Sequence, residues 1–140
     1  MKLRDIMTDQ VVRIHPEETV DVAARTLAQY NIGALPVCGN DGRVFGLVTD
    51  RDLVTRCLAA GRSPEKTLVR QVMTGRVVSA SPDMEAAAAA RLMGDRQIRR
   101  LPVMEEGKLC GMVSLGDLAT SGENVAADAL ENISEKIRKF

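Results

Sequence analysis

A hydroxyl and a carboxylate three residues apart twice follow a Gly-x-Val run in this chain, as Thr49-x-x-Asp52 after Gly46-Leu47-Val48 and as Ser114-x-x-Asp117 after Gly111-Met112-Val113. At the junction of a strand and a helix, such a pair can do two kinds of chemistry. It can close a capping box, in which each side chain satisfies the other residue's backbone N–H. It can also offer a hydroxyl and helix N-terminal amides to an anion, while the carboxylate accepts hydrogen bonds from ribose hydroxyls. The second arrangement is a nucleotide site in outline, and the residues alone leave both readings open. Asp50 adds a further carboxylate to the first copy, where the second copy has Leu115-Gly116 in place of Asp50-Arg51.

Upstream of each pair lies a second candidate. Gln97-Ile98-Arg99-Arg100-Leu101-Pro102-Val103 answers Asn31-Ile32-Gly33-Ala34-Leu35-Pro36-Val37. The guanidinium fork matches phosphate geometry, so Arg99 and Arg100 read either as a phosphate clamp or as a solvated basic edge. Gly33 and Ala34 carry no charge, which makes the two copies inequivalent. Nothing else suggests catalysis or metal binding. No nucleophile is paired with a base, His15 is the only histidine, and Cys38, Cys57 and Cys110 are scattered, odd in number and without Cys-x-x-Cys spacing. They read as reduced, buried hydrophobes rather than disulfides or metal ligands.

The elements that position these residues come from an internal duplication with a period of about 65 residues. Arg4, Met7, Thr8, Val11, Val12 and Pro16 recur as Arg70, Met73, Thr74, Val77, Val78 and Pro82, and the match runs on to Thr55 and Thr120. Two copies of one supersecondary unit, each small, predict packing on one another with a shared core and a pseudo-twofold. Each copy reads as strand, helix, strand, strand, helix. Val11, Val12 and Ile14 make a short β-branched run closed by Pro16, and Val77 and Val78 do the same before Pro82. Thr19 is the expected cap of a helix with an apolar stripe at Val20, Ala23, Ala24, Leu27 and Ala28, repeated by Ala86, Ala89, Ala90 and Met93. A hairpin turning at Asp41-Gly42 follows, then a helix from about Asp52 to Ala60 that stops at Gly61. The organisation is therefore 1–61 for the first repeat, 62–68 for the connection, 69–120 for the second repeat and 121–140 for a C-terminal amphipathic helix. Its apolar seam runs through Ala126, Leu130, Ile133, Ile137 and Phe140.

Composition narrows the partners. The 140 residues carry 19 basic and 19 acidic side chains, and aromatics make up 2% with no Trp. No global field would recruit nucleic acid or an anionic membrane, and stacking platforms for single strands are missing. No apolar run is long enough for a signal peptide or a span, so a cytoplasmic protein without a membrane partner is expected.

The Met-Thr opening, the Val-Val run closed by Pro, the Leu-Pro-Val strand and the Gly-x-x-Thr/Ser-x-x-Asp ending, all in tandem, resemble a pair of CBS domains over roughly residues 3 to 120. The resemblance implies an α+β fold of two βαββα units packed through their sheets, with clefts between them that bind adenosine-containing ligands. By motif position it implies that Thr49 and Asp52, and Ser114 and Asp117, meet phosphate and ribose, with Asp50 a further nucleotide-binding candidate. Val12, Ile14, Val78 and Ala80, with Leu35 and Leu101, would flank the adenine, Pro36 and Pro102 are further nucleotide-binding candidates, and Arg99 and Arg100 would add phosphate contacts. It further implies a stand-alone regulatory sensor, a homodimer acting on an effector protein, with AMP, ADP or ATP as ligand and S-adenosylmethionine or NAD as alternatives. No cofactor is required. The rival readings are a structural adaptor with no ligand and a nucleotide-hydrolysing enzyme using Asp50 and Asp52.

Overall fold

The computed structural model describes residues 1–120; the expected C-terminal helix at 121–140 lies outside the described residues. The chain is mixed helix and strand and divides into two compact units. One is Val12–Val77, here the first-repeat unit; the other joins Met1–Val11 to the chain from Val78 onward, here the second-repeat unit. In the first-repeat unit α1 (Val20–Tyr30) leads to a hairpin of β1 (Ala34–Cys38) and β2 (Val44–Thr49). Then come α2 (Asp50–Leu53), a π-helical turn at Val54–Leu58, and α3 (Val69–Val72). The second-repeat unit holds α4 (Ala86–Arg96), β3 (Arg100–Glu105), β4 (Lys108–Ser114) and α5 (Leu115–Thr120), with a 3-10 turn at Leu3–Asp5.

The compact units are offset from the sequence repeats because each repeat's opening segment docks in the unit of the other. Leu3 N–H donates to the Met84 carbonyl and Arg4 N–H to that of Pro82, both at 3.0 Å. Val69 N–H and Arg70 N–H make the matching bonds to Glu18 (2.8 Å) and Pro16 (3.0 Å). The guanidinium of Arg4 binds Asp83, with Nε 3.1 Å from Oδ1, and that of Arg70 meets Glu17 at 3.1 Å. Arg4 accordingly holds the Asp83 carboxyl below the usual aspartate range. Within the units the buried apolar side chains form two clusters, one per unit. The exchanged segments contribute to both: Leu3 fills the cluster around Met93, Leu101 and Val113, while Val69 and Val72 fill the one around Leu27, Leu35 and Val48.

Both hairpins keep the expected positions, with Gly42 at φ 85° in one turn and Glu106 and Gly107 at 53° and 80° in the other. The expected first strand of each repeat is reduced to a single bridge, Ile14 on Val37 and Ala80 on Val103. Proline explains this. Ile14 N–H donates to the Pro36 carbonyl and Cys38 N–H to the Ile14 carbonyl, so a parallel ladder would next need a Pro36 N–H aimed at Val12. Pro36 has none, and Pro102 stops the ladder at Ala80 in the same way. Thr19 occupies the N-cap position of α1 without capping it; its hydroxyl donates to Asp21, and α1 is capped instead by main-chain carbonyls, with Val20 and Asp21 donating to Thr67 and Pro64. Within α1, Val20, Ala23 and Leu27 are buried, whereas Ala24 and Ala28 of the expected stripe are exposed.

Leu47 and Thr74 exchange both backbone bonds (3.0 and 2.8 Å), as do Met112 and Thr8 (both 2.9 Å). Each clasp needs a glycine beside it. A Cβ on Gly111 would fall 2.7 Å from Met7 Sδ and 2.8 Å from the Thr8 carbonyl, and one on Gly46 would strike the Thr74 carbonyl and lie 3.1 Å from Met73 Sδ. Gly75 has nothing within 4 Å of such an atom. Gly46→Ala and Gly111→Ala are therefore expected to cost about 1–3 kcal/mol each by overpacking against main chain, with Gly75→Ala as the mild control. Urea unfolding that ranks all three alike would contradict the clasp.

Candidate functional site

The residues singled out in the sequence fall into two constellations, one in each unit. In the first-repeat unit, Thr49 ends β2 and is the N-cap of α2. Its Oγ1 accepts from Asp52 N–H and its own N–H donates to Asp52 Oδ2, both at 3.0 Å. In the second-repeat unit, Asp117 N–H donates to Ser114 Oγ at 3.1 Å, and Ser114 N–H donates to Asp117 Oδ2 at 2.8 Å. Both capping boxes exist. One carboxylate oxygen of each aspartate is thus fixed by main chain, and Oδ1 remains on the other side, in Asp52 facing Arg56 Nε at 3.8 Å. Asp52 is buried and Asp117 half-buried.

The loop before each hairpin is tied to the same helix start. Asp50 N–H donates to the Gly33 carbonyl at 3.0 Å, and Leu115 N–H donates to the Arg99 carbonyl at 3.1 Å. Register then places Ala34 opposite Thr49 and Arg100 opposite Ser114. Side chains directly opposite in an antiparallel pair share a face, so the Arg100 guanidinium projects from the side of the sheet that bears the Ser114 hydroxyl. Arg99 and Arg100 are both exposed. The first-repeat unit has the reverse charge at this place: Asp50 is exposed, accepts from Arg51 N–H at 2.8 Å, and its Oδ2 would lie 3.7 Å from a Cβ on Gly33.

The apolar candidates divide by burial. Ile14, Leu35, Pro36, Ala80, Leu101 and Pro102 are buried, and Leu35 and Leu101 are fully enclosed in their clusters. Val12 and Val78, left outside the ladder by the prolines, are half-buried. His15 Nδ1 accepts from Glu17 N–H at 3.2 Å, a turn contact. Burial pushes the Cys38 thiol up. Among the described residues, no group of three or more His, Cys, Asp or Glu side chains could hold a metal ion, and no helix is long and apolar enough to cross a membrane.

Sequence reading passed over Arg56, although an arginine four residues after Asp52 is an ion-pair signal on a helix. It also passed over Gly46 and Gly111 as partners of Met73 and Met7, because that pairing joins segments from different repeats.

A family model described as the CBS domain matches residues 3–59 and 69–123. The chain is 41% identical over 136 residues to CBS domain-containing protein YhcV of Bacillus subtilis, covering 96% of each. Among solved structures it is similar to Hypoxic Response Protein I with two coordinated zinc ions, with TM-score 0.79 and 34% identity, over 86% of this chain and 98% of that one. It is also similar to CBSX2 in complex with AMP, with TM-score 0.76 and 26% identity, over 86% and 95% of the two chains.

The capping boxes carry a stability cost that is separable from any ligand. Asp117→Ala removes the acceptor of Ser114 N–H and should lower the unfolding free energy by about 1 kcal/mol in urea titrations without ligand. An unchanged midpoint would mean that the box contributes nothing to α5.

Proposed function

The chain belongs to the CBS-domain family, and from that premise we propose that it is a regulatory module that binds an adenosine-containing ligand and has no catalysis of its own. The observation that carries this reading is the grouping in the second-repeat unit. Arg100 stands opposite Ser114 in register, and Asp117 is boxed to that same serine, so a phosphate-binding cation, a hydroxyl and a ribose acceptor meet at one helix start. Val78 offers a half-buried apolar surface one bridge away from β3. The likeness to CBSX2, whose structure holds AMP, supports an adenine nucleotide as the ligand. Thr49, Asp50 and Asp52, with half-buried Val12 as the apolar surface and Ile14, Leu35 and Pro36 buried behind it, are the proposed counterpart in the first-repeat unit. With Ala34 in place of Arg100 and Asp50 in place of Leu115, that counterpart is the poorer phosphate site.

We also propose that the protein works as a homodimer. Val54 and Leu58, 53% and 61% exposed on one short helical stretch, give the first-repeat unit an apolar face to bury. Light scattering that stays at the 15.2 kDa monomer mass across a concentration series would refute this.

Thermal unfolding with adenosine, AMP, ADP, ATP, S-adenosylmethionine and NAD tests the ligand reading. A true ligand at about 100 times its Kd adds roughly 2.7 kcal/mol. The double change Arg99→Ala, Arg100→Ala is expected to weaken ADP and ATP much more than adenosine, since paired charge-assisted bonds act on phosphate alone. Equal losses across the series would remove the phosphate role. No stabilisation by any of the six would leave a structural adaptor.

A further inference from the structure

We infer that Arg56 couples the Asp52 carboxylate to the main chain that leaves the first-repeat unit, so that whatever engages Asp52 is felt at Val72–Thr74. Arg56 sits in the π-helical turn Val54–Leu58, a geometry that recurs at functional positions inside helices. Its Nε faces Asp52 Oδ1 at 3.8 Å, an ion-pair distance. Its Nη1 donates to the carbonyls of Val72 (3.2 Å) and Met73 (3.0 Å). Those carbonyls lie at the C-terminal end of α3, where main-chain acceptors lack helical partners, so the guanidinium holds a place that nothing in α3 can fill. One residue further, Thr74 exchanges both backbone bonds with Leu47, two residues before Thr49 on β2. Thr49 N–H returns to Asp52 Oδ2.

The contacts close a ring: Asp52, Arg56, Val72–Met73, Thr74, Leu47, Thr49 and Asp52 again. Every step is a charge contact, a hydrogen bond or covalent chain. A ligand group that draws on Asp52 Oδ1 competes with Arg56 for it, and the same guanidinium also grips the end of α3. The segment it grips runs through Val77 into Val78, the first residue of the other unit's continuation. The arrangement is one-sided. The residue matching Arg56 in the second repeat is Ser121, which carries no guanidinium. The coupling stands on this geometry, while its meaning for sensing rests on the adenosine-ligand reading above.

The test is hydrogen exchange at the Leu47 and Thr74 amides of the full chain, without ligand, through the cycle Asp52→Asn, Arg56→Gln and both together. Arg56→Gln is expected to raise exchange at both amides roughly fivefold, the loss of one net hydrogen bond. Asp52→Asn should raise it when Arg56 is present and add little when it is absent. Additive effects would show that Arg56 only caps α3 and overturn the inference. Should Arg56→Gln fail to fold, Arg56→Lys keeps the charge but loses the fork; it should exchange faster than the parent, and parent-like exchange would overturn the inference equally. AMP at saturation is then expected to alter these amides in the parent and not in Arg56→Gln; an equal response in both overturns the coupling. AMP that binds neither protein counts against the adenosine-ligand reading, and the ligand-free cycle still decides the coupling.

Discussion

Each unit is held together by a segment that enters it from the other repeat, and that exchange governs the rest. Leu3 or Val69 brings an apolar side chain into the cluster, a backbone N–H to the proline loop, and, a few residues on, a threonine whose backbone pairs with the middle of β4 or β2. A two-stranded hairpin is marginal in water by itself. The entering segment gives it a third strand position on one side, and Ile14 or Ala80 gives a fourth on the other. The close approach is possible only because Gly46 and Gly111 lack a Cβ. The Met-Thr openings and the hairpin glycines of the duplication are thus two halves of one contact, written in different repeats.

The hydroxyl-x-x-carboxylate pairs join an observed stabilising contact to the recognition role proposed for them. Each aspartate gives one oxygen to the main chain and so has its rotamer fixed. A carboxylate already locked in place loses little conformational freedom when it accepts a further hydrogen bond, which lowers the cost of using it for binding. The box therefore preorganises the acceptor. What differs between the units is the charge around it, with two arginines in one and an extra aspartate in the other.

Much of this was legible in the sequence, for physical reasons that differ by element. The β hairpins were, because Asp41-Gly42 in one copy and Glu105-Glu106-Gly107 in the other are local turn signals between apolar runs. The capping boxes were also legible, since their spacing is local. The first strands were overread: Val11 to Ile14 has strand-like residues, but the proline that stops the ladder is Pro36, on the partner strand. The make-up of each cluster was not legible, because period alone does not say which copy's opening completes which cluster. Thr19 had the right position and the wrong partner, since the amides of α1 are met by carbonyls from the connection. Arg56 escaped because its carbonyl partners lie 16 and 17 residues away.

Exchange of opening segments also sets an order of events on the ribosome. Val69 to Thr74 complete the first-repeat unit, so its cluster lacks those side chains until the start of the next repeat has emerged. Until then the outer edge of β2 at Leu47 is an open template for any passing strand, the usual hazard of unpaired edges. The opposite edge is safer. Pro36 presents no N–H there, so a foreign strand cannot extend a ladder past it, and the nascent hairpin is blunted on one side by the same residue that later limits Ile14 to a single bridge.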